Sequence, residues 1–308
     1  MRIAVASGKG GTGKTTVSSS LISIWESPVI AMDLDVEEPN LHLFLNPEFT
    51  GRRAANMEIP EVDQSLCNQC GKCSELCQFK AISLMGKVLM TFPEMCHGCG
   101  GCIAICPEKA ITPASRELGE ISWGHKKDTE FLMGRLRIGE AMSPPLMRQV
   151  KEKLGEMQDT SSTTMTTKDV VPKDVIPKDI IIDAPPGVSC PAINAVMDSD
   201  VIVLVTEPTP FGVYDMKLAH EAFTPMNKPM GVVVNRAGLG DSEIYEYCKA
   251  KNLDILAEIP YDRQIAEAYA NGIIISESSD KMKQIFTELA EKIKQKVQGK
   301  IAGEVSRG

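Results

Sequence analysis

Two groups of residues in this 308-residue chain have types and spacings that can do chemistry. The first is Gly8-Lys9-Gly10-Gly11-Thr12-Gly13-Lys14-Thr15, which fits the phosphate-loop pattern of Gly, four residues, then Gly-Lys-Thr. Its glycines let backbone N–H groups curl around phosphates, and a helix starting near Lys14 points its positive end at them. At this spacing Lys14 reaches the β- and γ-phosphates and Thr15 holds Mg²⁺. Gly8, Gly10, Gly11, Thr12, Gly13, Lys14, Thr15 and Thr16 are therefore the expected contacts for ATP or ADP. The second group is a repeat. Cys67, Cys70, Cys73 and Cys77 recur as Cys96, Cys99, Cys102 and Cys106, and both copies continue alike into Lys80-Ala81-Ile82 and Lys109-Ala110-Ile111. Zinc sites usually pair two close cysteines with a distant second pair, whereas these stand three residues apart in threes.

The elements that must position these groups are bounded by composition. Length alone suggests about two domains. With 43% hydrophobic and 24% charged residues, whole-chain disorder and coiled coil are excluded. Apolar runs such as Val201–Val205 are strand-length, far short of the roughly 20 residues of a spanning helix. A net charge of −8 argues against nucleic acid as a partner. Met1 to Ala6 runs straight into the glycine loop without a secretory pattern, so a cytoplasmic setting is expected. In a reducing compartment ten cysteines read as metal or redox ligands before disulfides.

Ile3–Ala6, Pro28–Met32, Asp179–Asp183, Val201–Val205, Gly231–Val234 and Asp254–Ile259 read as strands. Thr15–Trp25, Val213–Phe223, Ser242–Lys251, Arg263–Ala270 and Ser279–Gln298 read as helices between them, with Pro144–Met157 a further candidate. Near-continuous apolar strands alternating with helices predict an α/β fold, a parallel sheet covered on both faces. One such domain is expected over residues 1–59 and 115–308, interrupted by a small α+β cysteine insert at 60–114. The Ser/Thr- and Pro-rich stretch 158–178 reads as a low-complexity linker.

The loop resembles the deviant phosphate loop of the MinD/ParA/Mrp-type ATPases, relatives of the nitrogenase iron protein. Asp33-Leu34-Asp35-Val36-Glu37-Glu38-Pro39-Asn40-Leu41 is similar to that family's first switch, and Asp183-Ala184-Pro185-Pro186-Gly187 to its second. The resemblance covers most of residues 1–45 and 179–275. It implies that Lys9 reaches across a nucleotide-sandwiched dimer to the partner's nucleotide, and that Asp35 positions the attacking water. It implies further that Asp183 contacts Mg²⁺ through water, and that Gly187, Asn235 and Pro260 lie at the nucleotide. The dimer would be a homodimer or pair with a close paralogue. The cysteine runs resemble the bacterial ferredoxin run, whose fourth cysteine ligates the other cluster. That likeness implies two [4Fe–4S] clusters, one on Cys67, Cys70, Cys73 and Cys106, the other on Cys96, Cys99, Cys102 and Cys77.

Cys190 lacks a partner for a dimer-bridging cluster, and Cys248 reads as structural. The stripe Met282, Ile285, Phe286, Leu289, Ile293 and Val297 is expected to pack on the sheet rather than on a membrane. The combination predicts a slow, partner-stimulated ATPase whose nucleotide-dependent dimerisation is coupled to electron transfer with a redox or client protein. The alternatives are an iron–sulfur or metal-cofactor assembly carrier, and a MinD-like positioning ATPase with redox-sensing clusters.

Overall fold

Strands that are apolar on both faces are stable only between two layers of helices. The computed structural model, which describes residues 1–163 and 178–305, meets this condition. In chain order the elements are β1 (Arg2–Ala6), α1 (Lys14–Ile24), β2 (Val29–Asp33), α2 (Leu41–Leu45) and β3 (Glu48–Val62). The cysteine-bearing stretch follows with α3 (Lys72–Leu76), β4 (Ile82–Met85), β5 (Val88–Thr91) and α4 (Gly101–Ile105). The chain returns through β6 (Ile111–Lys126), β7 (Thr129–Leu136), α5 (Ser143–Thr163), β8 (Asp179–Asp183) and α6 (Cys190–Val196). It ends with β9 (Val201–Thr206), α7 (Pro210–Phe223), β10 (Met230–Ala237), α8 (Glu243–Ala250), β11 (Asp254–Pro260), α9 (Arg263–Ala270) and α10 (Asp280–Val305).

The strands form one nine-stranded sheet in the order β11-β10-β9-β1-β8-β2-β7-β6-β3. Alternation along β1 sends Ile3 and Val5 into a core with Val17, Leu21, Phe286 and Leu289. Ala4 and Ala6 face the opposite core, with Leu146, Ala192, Val213 and Ile244. The carboxyl ends of the central strands converge. Val5 and Asp33 both sit in register with Asp183, so β8 stands between the strand that enters the phosphate loop and the strand that enters the first switch.

Two expectations are corrected. The strands from β11 to β7 form the expected parallel sheet, but it is extended at one edge by β6, antiparallel to both β7 and β3. Residues 115–136, which carry no strand signal of the continuous apolar kind, supply most of β6 and all of β7. The stretch read as a linker begins inside α5, which continues to Thr163; residues 164–177 lie outside the described part of the chain. The α10 stripe packs as expected, with Met282, Phe286, Leu289 and Ile293 buried against the sheet.

The cysteine-bearing stretch leaves the sheet after Val62 and returns at Ile111, at the end of the antiparallel ribbon made by β3 and β6. Its sequence repeat is also a repeat of backbone geometry. Gly71 and Gly100, both with positive φ, cap the helices α3 and α4, and Cys77 and Cys106 end them in extended conformation. After each, a lysine at positive φ donates its N–H to the cysteine carbonyl, Lys80 to Cys77 and Lys109 to Cys106, both at 3.3 Å. Cys73, Ile82, Leu89 and Ile111 make a small separate core there.

Candidate functional site

The phosphate loop bridges the end of β1 and the start of α1. Gly13, at φ 96°, adopts the left-handed conformation that opens the helix without a side chain in the way. A Cβ there would lie 2.3 Å from the Asn235 amide nitrogen, which donates to the Thr12 carbonyl at 2.8 Å. Gly8 is constrained from the other side, since a Cβ would fall 1.9 Å from the Asp215 carbonyl oxygen in α7. Gly10 and Gly11 are exposed, Lys9 is half-exposed, and Lys14 is 6% exposed although it carries no apolar role. Thr12 and Thr16 are buried beside it.

Asp35 and Asp183 face that lysine, and Asp33 stands behind them. Asp183 accepts the Thr15 hydroxyl at 2.7 Å on one oxygen and the Ser18 hydroxyl at 3.0 Å on the other. Burial pushes its carboxyl above the ordinary range, opposed by Thr15, the Lys14 ammonium and Ser18. Asp33 is fully buried and accepts the N–H groups of Asp35 at 3.1 Å and Leu41 at 3.0 Å, pinning both ends of the first switch loop. Burial, and next the neighbouring Asp183, raise it well above the usual carboxylate range. Asp35 is partly buried; burial raises its carboxyl to about 6, with Lys14 pulling it down and Asp183 pushing it up. Such a cluster of carboxyls around one ammonium lacks cationic charge, which a divalent cation held by Thr15 and Asp183 would supply. The second switch is tied to the loop strand: Ala184 N–H donates to Val5 O at 3.0 Å and Gly187 N–H to Ser7 O at 2.9 Å.

Asn235 and Pro260 lie at the ends of β10 and β11, where Ala237 pairs with Pro260. Beside them Arg236 pairs with Glu207 at 2.9 Å. Sequence reasoning missed Ser18 and the organising role of Asp33. Ser18 had a usable signal, since it stands three residues after Thr15 and so on the same helical face. Asp215 had none, because only the packing of α7 brings it to Gly8.

The cysteines form two sets. One cavity is lined by Cys67, Cys70, Cys73 and Cys106, and a second by Cys96, Cys99, Cys102 and Cys77, so each takes three thiols from one run and the fourth from the other. All ten cysteines are free thiols. Among the described residues no three Cys, His, Asp or Glu side chains converge on a point that a single metal ion would occupy. Four thiols spread around a cavity suit a larger polynuclear group better than one tetrahedral ion. The equivalent third cysteines, Cys73 and Cys102, are both raised by burial. At Cys77 burial acts upward too, but backbone N–H groups of Ala81, Ile82, Phe79 and Lys80 outweigh it and lower the thiol. An amide cage of this kind stabilises a thiolate ligand. His97 stacks on Phe79 at the second cavity, with ring centroids 3.4 Å apart. Cys248 is buried in α8, and Cys190 is exposed at the first residue of α6.

Residues 3–275 match the CobQ/CobB/MinD/ParA nucleotide binding domain. An uncharacterized protein of Methanocaldococcus jannaschii is 33% identical over 298 residues, covering 96% of this chain and 97% of its own length. The iron–sulfur cluster carrier protein of Aquifex aeolicus is 28% identical over 138 residues, 39% of this chain and 38% of its own. Among solved structures, the septum site-determining protein MinD of Pyrococcus horikoshii, complexed with Mg-ADP, superimposes with a TM-score of 0.53 at 20% identity, covering 95% of both chains. No helix among the described residues is long and apolar enough to cross a membrane.

Proposed function

This chain belongs to the CobQ/CobB/MinD/ParA family of nucleotide-binding proteins, and from that premise we propose that it is an ATPase whose nucleotide state is coupled to electron transfer through two [4Fe–4S] clusters. The observation that carries the redox half is the division of eight thiols into two crossed sets of four, each around its own cavity. When bound, such clusters supply one-electron chemistry at potentials tuned by their surroundings. The cysteine-bearing stretch at about 60–114 acts as a ferredoxin-like module inserted in the ATPase domain of residues 1–59 and 115–308.

The chain's own residues divide the nucleotide work. Backbone N–H groups of Gly10 to Thr15 and the start of α1 receive the phosphates. Lys14 would neutralise the β- and γ-phosphates, and Thr15 and Asp183 would hold Mg²⁺, which would supply charge stabilisation at the phosphates. Asp35 orients the attacking water, and Lys9 from a second copy or a close paralogue completes the charge at the γ-phosphate. Phosphoryl transfer is mainly positioning and charge stabilisation, so hydrolysis waits on dimer closure and is slow without it. Asn235 and Pro260 flank the base. No nucleic acid is needed as partner; the partner is a redox or client protein.

Anaerobic reconstitution followed by iron and sulfide analysis tests the cluster half, with about eight irons per chain expected. Midpoint potentials with and without Mg-ATP test the coupling; potentials and electron-transfer rates indifferent to nucleotide would sink it. A second reading, an iron–sulfur assembly carrier, draws support from the partial likeness to the Aquifex carrier protein. It predicts transfer of iron to an apo-acceptor, whereas clusters retained through many turnovers speak for the first.

A further inference from the structure

The first switch and the cysteine-bearing ribbon meet at the junction between β7 and α5. On the switch side, the Leu136 N–H donates to the Val36 carbonyl at 2.8 Å. Val36 packs directly on Gly134, where a Cβ would come 2.9 Å from its Cγ1. The Ser143 hydroxyl, at the first residue of α5 and buried, donates to Glu37 Oε1 at 2.7 Å. On the ribbon side, the Arg137 N–H donates to the Leu118 carbonyl of β6 at 2.9 Å. Arg116 of β6 pairs with Glu140 at 2.9 Å, with side chains only 8% and 2% exposed. Glu140 also accepts the N–H groups of Ala141 and Met142, both at 3.0 Å.

A desolvated ion pair adds little net stability, but its charges are costly to separate, so it favours one arrangement of its neighbours. The Arg116–Glu140 pair therefore locks the junction to β6, the strand that runs back to Cys106. The first switch is locked to the same junction by two hydrogen bonds and by a contact with no spare volume. A displacement of Val36 and Glu37 must either break all three contacts or carry the junction, and with it β6, along. Carrying it keeps these contacts made, and this is the lower-energy course.

We infer that the β7–α5 junction is a coupling element: Glu37 and Ser143 on one side, and Arg116 and Glu140 on the other, transmit the position of the first switch to the ribbon that bears the cysteines. All four are positioning residues that act through the switch and the ribbon. The inference rests on the nucleotide-switch half of the reading above and not on the identity of the group the cysteines hold.

Hydrogen–deuterium exchange on the full chain tests it, comparing Mg-ADP with a non-hydrolysable Mg-ATP analogue. In the natural chain, peptides across 33–41 and across 111–119 both slow, by about threefold or more, when the γ-phosphate is present. In Glu37→Ala and in Glu140→Gln, each of which removes one of several contacts, the 33–41 response remains and the 111–119 response falls to less than half of its value in the natural chain. The two substitutions act on opposite sides of the junction, so a folding failure of one leaves the other to decide. A natural chain in which only 33–41 responds, or variants in which 111–119 responds as fully as in the natural chain, overturns the inference. If 33–41 itself ignores the γ-phosphate, the nucleotide-switch reading falls and takes this inference with it. Absent iron with a normal exchange pattern overturns the cluster assignment alone.

Discussion

The Thr15 hydroxyl donates to Asp183 across 2.7 Å, joining the last residue of the phosphate loop to the last residue of β8. That contact brings together the two residues proposed to hold Mg²⁺, with Ser18 holding the other carboxylate oxygen at 3.0 Å. Asp183→Asn keeps the size of the side chain and removes the charge. Its expected effect is a loss of Mg²⁺-dependence: the ratio of ADP affinities with and without Mg²⁺ falls by about tenfold or more. Titration calorimetry in Mg²⁺ and in EDTA measures that ratio.

Lys9 carries a charge that only a second copy can use fully, if the dimer closes as proposed. Lys9→Ala is expected to lower ATP turnover by on the order of 1,000-fold or more, the scale of a missing trans-acting cation, while nucleotide affinity of the monomer changes little. Steady-state turnover at saturating ATP, set beside binding of a fluorescent nucleotide, separates the two. Unchanged turnover would remove Lys9 from the mechanism.

Asp35 has a pH signature. Its carboxyl is raised from 3.8 to about 6, so the folded state binds more protons than the unfolded one between those values. The stability of the nucleotide-free protein must then fall, through this group, as pH rises across that window. Two units correspond to roughly 3 kcal/mol, and screening of a partly exposed carboxyl reduces this to the order of 1–2 kcal/mol. Asp35→Asn is therefore expected to stabilise the nucleotide-free protein above pH 6 and to be neutral below about pH 4. Denaturant melts at both pH values check the sign.

The crossed cavities make separate predictions for two cysteines of the same run. Cys77→Ser removes a thiol from the cavity lined by Cys96, Cys99 and Cys102, not from the one lined by its own run. Reconstituted protein should lose up to about four irons, and the cluster that survives should be the one that Cys67→Ser destroys. Electron paramagnetic resonance of the two variants and of the double variant decides it. If Cys77→Ser and Cys67→Ser remove the same signal, the crossing is wrong.

Phe286 is fully buried between α10 and the sheet. Phe286→Ala should cost about 3–5 kcal/mol by urea denaturation. An amphipathic anchor would behave differently, losing vesicle binding with little change in stability.

Much of the fold was legible because its signals are local. The helix α9 spans Arg263–Ala270, the residues its periodicity marks, and α8 differs from its expected range only at the ends. The continuous apolar runs of β1, β8 and β9 announce strands buried on both faces. β6 sends no such signal, because it is part of a ribbon that is partly solvated and carries Arg116, Glu117, Glu120, His125 and Lys126. Its antiparallel partner β3 is likewise mostly exposed. Charged, half-solvated strands are stabilised by pairing with each other, which no window of sequence records.

The sequence by itself determined the chemistry on offer: a glycine loop ending in Lys14 and Thr15, two switch-like aspartate runs, and eight cysteines in two equal copies. Each is set by residue type and short-range spacing, which survive any arrangement of the rest. Only the tertiary structure decided which groups meet. It brought Asp183 onto Thr15 and Ser18, Asn235 onto the loop backbone at Thr12, and Cys106 and Cys77 into each other's cavities. It also set the first switch against the end of β7, which Arg137 and Glu140 tie in turn to the strand that leads back from the cysteines. Those contacts depend on strand order and on the burial of charged pairs, and both are settled by the packing of distant segments rather than by any one of them.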